Sequence, residues 1–205
     1  MRKLLLDQKL LIEDSVNYDS IVIQKNCVKY QDLTASSIIF CEGYKVIHNP
    51  YFSYLPFIPA KGDVLMVKIK NYPFDGKIIK HGLFIIPYED ELYWVGSTYH
   101  KSFEDDRPTE EDKQQMMDRL SKILKIPFQL VAHKAAIRPT VRDRKPFIGK
   151  HPSHSNVFLF NGMGAKGSYL SPFFGDNFIN WLCDGIPLHP EVDLKRYEKY
   201  FTKNK

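Results

Sequence analysis

The chain has 205 residues, 43% of them hydrophobic and 26% charged, enough for one large domain or two small ones around a true core. Its net charge of +5 comes from scattered Lys and Arg, not from a dense basic stripe, so nucleic acid is not an expected partner. No apolar run approaches the roughly 18 residues of a membrane span, and the N-terminal triplets around Leu5 and Leu11 are too short for a secretory signal.

In chain order, the N-terminus reads as a short amphipathic helix followed by a strand. Ile21–Gln24 and Cys27–Tyr30, joined by Lys25-Asn26, form a hairpin pattern. Ser37–Cys41 is an unalternated apolar run stopped by Glu42-Gly43, as expected of a parallel strand buried on both faces. Antiparallel strands are predicted at Gly62–Ile69, Lys77–Pro87 and Leu92–Thr98, with Glu89-Asp90 at a hairpin tip. Thr109 and Asp112 have the spacing of a capping box. The helix behind them carries Met116, Met117, Leu120, Ile123 and Leu124 on one face and is stopped by Pro127.

Gln129–Arg138 and Val157–Phe160 read as a closing strand pair. Ser168–Leu182 is predicted as a largely buried helix, with Pro172 in its first turns and Gly185 past its end. The polar tail from Arg196 is expected to fray.

Two features could carry chemistry. The first is Asn161-Gly162-Met163-Gly164-Ala165-Lys166-Gly167, a glycine loop between a strand and a helix. Glycines admit close approach of backbone N–H groups, and a helix start carries about half a positive charge. The G-x-G-x-x-G spacing alone suggests a dinucleotide, but no second strand with an acidic residue follows, so a structural turn is the better reading of the loop by itself. The second feature is Arg138, held extended by Pro139 at a strand end. A guanidinium there suits either a bidentate bond to a ligand carboxylate or an internal salt bridge.

The histidines show no HxH or HExxH spacing, and Cys27, Cys41 and Cys183 lack metal or disulfide spacing. No metal site is therefore expected. Cys41 and Cys183 read as small buried hydrophobes in a reducing, cytoplasmic setting.

Six landmarks occur in order: Ile39-Phe40-Cys41-Glu42-Gly43, Lys61-Gly62-Asp63, Ile86-Pro87 with Trp94-Val95-Gly96-Ser97-Thr98, Ala136-Ile137-Arg138-Pro139, Pro146-Phe147-Ile148-Gly149, and Gly162 to Gly167 followed by Pro172. This succession resembles the C-terminal half of the FAD-dependent D-amino-acid oxidase and glycine oxidase family. The resemblance implies that Arg138 grips a substrate carboxylate. It also implies that Gly162, Met163, Gly164, Ala165, Lys166 and Gly167 meet the flavin ring edge, and that Gly43 lies near the cofactor's phosphate or ribose. Met163 and Lys166 stand where relatives often have His or Arg, and Ala136 replaces a glycine.

The implied fold is α+β, a mixed, largely antiparallel twisted sheet with packed helices, plus remnants of the parallel FAD-binding layer. The expected parts are residues 1–36 (helix and hairpin), 37–50 (remnant strand and loop), 51–138 (substrate-binding sheet), 139–186 (glycine loop and helix) and 187–205 (tail). The family's N-terminal G-x-G-x-x-G unit has no counterpart here, so a piece of a longer enzyme is expected, completed by that segment or by self-association. The implied reaction is oxidation of the CH–NH group of an amino or imino acid. Alternatives are a 2-hydroxy-acid dehydrogenase of the same superfamily or a non-catalytic binding and assembly domain.

Overall fold

A computed structural model describes residues 1–203. After helix α1 (Arg2–Asp7), a meander of β1 (Ile21–Ile23), β2 (Val28–Tyr30) and β3 (Leu33–Ala35) forms, with Ile21 opposite Tyr30 as the hairpin pattern requires. The third strand escaped the sequence reading because all of Leu33–Ala35 is exposed and leaves no apolar alternation. β4 (Ile38–Phe40) then enters a separate sheet.

The central frame comprises β5 (Ala60–Ile69), β6 (Ile79–His81), β7 (Leu83–Pro87), β8 (Leu92–Gly96), α2 (Glu110–Ile123) and β9 (Phe128–Arg138). The strands form one antiparallel sheet in the order β6-β7-β8-β5-β9. The single run predicted at Lys77–Pro87 is two strands, because Gly82 at φ +70° allows the chain to double back between them. Leu65, Val67 and Ile69 alternate toward α2, where Met116 and Leu120 close a fully buried cluster with them. The intervening positions, Gly62 among them, point to the opposite face.

α2 starts at Thr109, whose Oγ1 accepts the Asp112 N–H. The reciprocal half of the capping box is not formed. The Thr109 N–H donates to Asp63 Oδ2 at 2.9 Å, and Asp112 faces His100 Nε2 at 2.8 Å. The helix ends at Ile123, before Pro127 is reached.

The second sheet contains β10 (Phe147–Lys150) and β11 (Val157–Asn161), in the order β10-β11-β4. β11 pairs antiparallel with β10 and parallel with β4, placing Val157 opposite Ile38. The expected β9–β11 pair does not form, because β9 pairs along its whole length with β5 in the other sheet. Nor is β4 covered on both faces: Phe40 is buried, while Ile39 is 39% exposed.

α3 (Gly167–Asp184) packs Phe174 and Phe178 against Phe158. Tyr169, Phe173 and Ile179 remain more than half exposed, which corrects the prediction of a largely buried helix. A helix lying on one small sheet buries a single stripe, so the rest of an apolar helix stays outside. Gly185, at φ +72°, closes α3 as predicted, its N–H donating to the Trp181 carbonyl. Cys41 and Cys183 are exposed, against expectation, because both sit on the open sides of β4 and α3.

The tail does not fray from Arg196 over the described residues, and its last two positions, 204–205, lie outside them. A 3-10 turn at Leu194–Tyr197 leads into α4 (Glu198–Lys203), and the Arg196 guanidinium docks on the loop that precedes β10. Its Nη2 donates to the Lys145 and Pro146 carbonyls at 2.9 and 2.8 Å, and its carbon lies 4.6 Å from the Phe147 ring centroid. Arg196→Ala should lower the unfolding free energy by about 2 kcal/mol, since two otherwise buried carbonyls lose a charged donor. An unchanged midpoint in urea denaturation would show that this docking contributes nothing.

Candidate functional site

Arg138 is the last residue of β9, opposite Ala60 at the start of β5. This register lays its guanidinium across Gly62: a Cβ there would stand 2.2 Å from Nη2 and 2.6 Å from Cζ. Only glycine leaves that space. Nη2 donates to Ser97 Oγ at 2.7 Å, and the guanidinium carbon lies 6.0 Å from the Tyr99 ring centroid. Nη1 is buried and has no hydrogen-bond partner among the described residues.

Among the same residues Arg138 makes no ion pair with Asp or Glu, which removes the internal salt-bridge reading. Burial pushes the guanidinium below its usual pKa, partly offset by the Tyr99 hydroxyl. A half-buried cation with an unused donor is suited to receive an anion.

Pro139 and Thr140 carry the chain from Arg138 to the glycine loop. The Pro139 carbonyl accepts the Gly164 N–H at 3.3 Å, so the two sequence features are hydrogen-bonded neighbours. Gly162 and Gly164 have φ of +83° and +57°, and a Cβ on Gly162 would approach Val141 Cγ1 to 3.0 Å. Asn161 braces the loop from behind. Its Oδ1 accepts the Gly162 N–H at 2.8 Å and its Nδ2 donates to the Gly43 carbonyl at 2.9 Å. Glu42, beside Gly43, is held by the Tyr18 hydroxyl at 2.6 Å and Asn49 Nδ2 at 2.7 Å.

Past the loop, a 3-10 turn at Gly164–Lys166 opens α3, whose N-cap Lys166 contributes no side-chain capping bond. The helix start therefore keeps its positive end available. In front of it lies a cleft of about 440 Å³, with Met163, Gly164, Ala165 and Lys166 on one wall and Tyr99 and Thr140 among those opposite. Arg138, Gly43 and Gly167 are not among its lining residues. A larger hollow of about 720 Å³ beside Tyr51, Tyr54 and His151 lies on other elements, away from Arg138.

Sequence reasoning named Arg138 and the loop but missed Ser97, Tyr99, Gly62 and Asn161 as their supports. The Gly-Ser-Thr end of β8 and the Lys-Gly-Asp start of β5 were visible as landmarks. Their contact with Arg138 depends on cross-strand register, which a sequence does not display.

The chain matches the DAO family model, FAD dependent oxidoreductase, over residues 17–181. It belongs to that family. Glycine oxidase of Pseudomonas aeruginosa is 29% identical over 120 residues, 58% of this chain and 33% of that protein. Glycine oxidase of Bacillus subtilis is 25% identical over 150 residues, 70% of this chain and 40% of that protein. The structure of iminodiacetate oxidase from Chelativorans sp. BNC1 superposes with a TM-score of 0.71 at 21% identity, covering 87% of this chain and 51% of that one. This chain thus spans a third to two fifths of the curated glycine oxidases it matches.

FAD is the cofactor that the family description names, and the residues present fit an anionic ring edge: an uncapped helix start, Lys166 and a glycine-lined wall. Among the described residues no helix is long and apolar enough to cross a membrane.

Because Arg138 is partly desolvated and makes no ion pair among the described residues, its removal should not destabilise the fold beyond the loss of its bond to Ser97. Arg138→Met is expected to leave the unfolding free energy unchanged or raise it by up to about 1 kcal/mol. A loss of more than about 2 kcal/mol in urea denaturation would reveal a structural partner and contradict a ligand-facing role.

Proposed function

We propose that this chain is the substrate-facing, C-terminal part of a flavoenzyme that oxidises the CH–NH group of an amino or imino acid. The observation that carries this reading is the Arg138 guanidinium, buried at Nη1 and without a carboxylate partner among the described residues, on the residue next to Pro139, whose carbonyl accepts the Gly164 N–H of the glycine loop.

In this reading Arg138 binds the substrate carboxylate and fixes the neighbouring Cα. Ser97 holds Nη2 and Gly62 gives the guanidinium room, so little freedom is lost on binding. Bound FAD would supply the two-electron acceptor for the hydride leaving Cα. The nitrogen lone pair forms the C=N bond, and the nitrogen proton passes to solvent, so no side-chain base is needed if the amine enters neutral. The positive end of α3 and Lys166 would favour negative charge at the glycine-loop wall.

Gly162, Met163, Gly164, Ala165 and Lys166 form the flavin-facing wall in this reading, and Gly43, tied to it through Asn161, borders the cofactor farther out. The rest of the FAD-binding layer would pair along the open edge of β4, where the parallel sheet stops after one pairing.

Gel filtration with FAD is expected to give coeluting flavin absorbance that an added amino or imino acid bleaches without oxygen. Arg138→Ala should retain the flavin and raise the acid concentration for half-bleaching more than about tenfold, the loss of a charge-assisted pair. Bleaching that is unaltered in the variant would remove Arg138 from substrate binding. Absence of coeluting flavin would show that these residues do not hold the cofactor by themselves.

A further inference from the structure

Three strands build the seat of Arg138, and a single residue is bonded to the parts that all three supply. Gly62 of β5 gives the guanidinium room, Ser97 past the end of β8 holds Nη2, and Arg138 itself closes β9. Asp63 follows Gly62 in β5 and is fully buried. Successive residues of a strand point to opposite faces, so the Asp63 side chain lies on the α2 side of the sheet. Arg138 lies over Gly62 on the other side, and Asp63 does not meet a ligand bound there.

The bonds of Asp63 run to the neighbours of that seat. Its N–H donates to Thr98 Oγ1 at 2.9 Å and its carbonyl accepts the Thr98 N–H at 3.2 Å, which fixes the residue next to Ser97. On the side chain, Oδ2 accepts the Thr109 N–H at 2.9 Å and lies 2.9 Å from Nε2 of His133 on β9. Oδ1 is buried without a hydrogen-bond partner among the described residues. The carboxylate is therefore committed to the start of α2 and to β9.

The hold on β9 falls where that strand needs one. A bulge interrupts the β5–β9 register between Met66 and Val67, whose partners are Ala132 and Leu130. Such an irregularity bends the strand that carries it and increases its twist. His133 is the next residue toward Arg138, so its contact with Asp63 pins β9 on the seat side of the bulge.

We propose that Asp63 is a positioning residue for Arg138. It acts through Thr98 on Ser97 and through His133 on β9, and so sets where the guanidinium lies over Gly62. This rests on the reading of Arg138 as the residue that binds the substrate acid.

The probe is acetate, which has a carboxylate but no amine to oxidise, titrated by NMR into the purified chain with and without FAD. Asp63→Ala should weaken acetate binding about tenfold or more, and Thr98→Val by a smaller factor, as displacement of a positioned group does. Asp63→Asn retains an oxygen for Thr109 and His133 and should bind acetate within about threefold of the parent chain. In an Arg138→Met background neither Asp63→Ala nor Thr98→Val should weaken acetate further, because both act through the arginine.

Losses that recur at full size in the Arg138→Met background would make Asp63 a general support of the fold and overturn the assignment. Full affinity in both Asp63→Ala and Thr98→Val would overturn it too, as would an Asp63→Asn chain as weak as Asp63→Ala. Acetate binding that ignores Arg138→Met would overturn the reading beneath it, and a parent chain that binds no acetate would overturn both. Circular dichroism identifies a variant that fails to fold; if Asp63→Ala does, Thr98→Val carries the test.

Discussion

The contact between Arg138 and Gly62 is the constraint on which the candidate site depends. A guanidinium can lie flat against a β-strand only where the strand has no side chain. The pairing of β5 with β9 places Gly62 diagonally across from Arg138, two residues along from its partner Ala60. Ser97, arriving on the end of β8, fixes one nitrogen and leaves the other buried without an acceptor. A folded protein tolerates such an unfinished contact at a cost of about 1–3 kcal/mol.

The same stretch of chain joins the two sheets. β9 ends at Arg138, and the next carbonyl, that of Pro139, is bonded to Gly164 in the loop that follows β11. Asn161 extends the connection to Gly43, just past the end of β4. Arginine, glycine loop and the turn after β4 therefore sit in one hydrogen-bonded frame, although more than a hundred residues of chain separate Gly43 from Asn161. Small shifts at one element would be felt at the others, because interiors pack closely and transmit strain.

The C-terminal segment has a share in this arrangement that its polarity conceals. Arg196 and Glu191 neutralise Asp143 and Lys145, so the neighbouring arginines are left facing the cleft. A segment that looks like a solvated tail thus takes up Asp143 and Lys145.

Periodicity and local chemistry made much of the fold legible: the hairpin at Ile21–Tyr30, the capped helix with Met116 and Leu120 inward, and the glycine that ends α3. The ordered Arg-Pro, Pro-x-Ile-Gly and glycine-loop landmarks pointed to the family. These features are set by neighbours in sequence, and a sequence displays them directly. Sheet membership was not legible, so β11 was paired with β9 when it lies between β10 and β4. Nor could composition tell that α3 leaves Tyr169 and Phe173 outside, since apolar content does not say how many neighbours a helix has. The sequence by itself determined that an arginine stiffened by proline precedes a glycine loop and a helix. Tertiary structure alone decided that this arginine has no acidic partner among the described residues and that its neighbours' charges divide between tail and cleft, because both follow from contacts between strands and segments far apart in the chain.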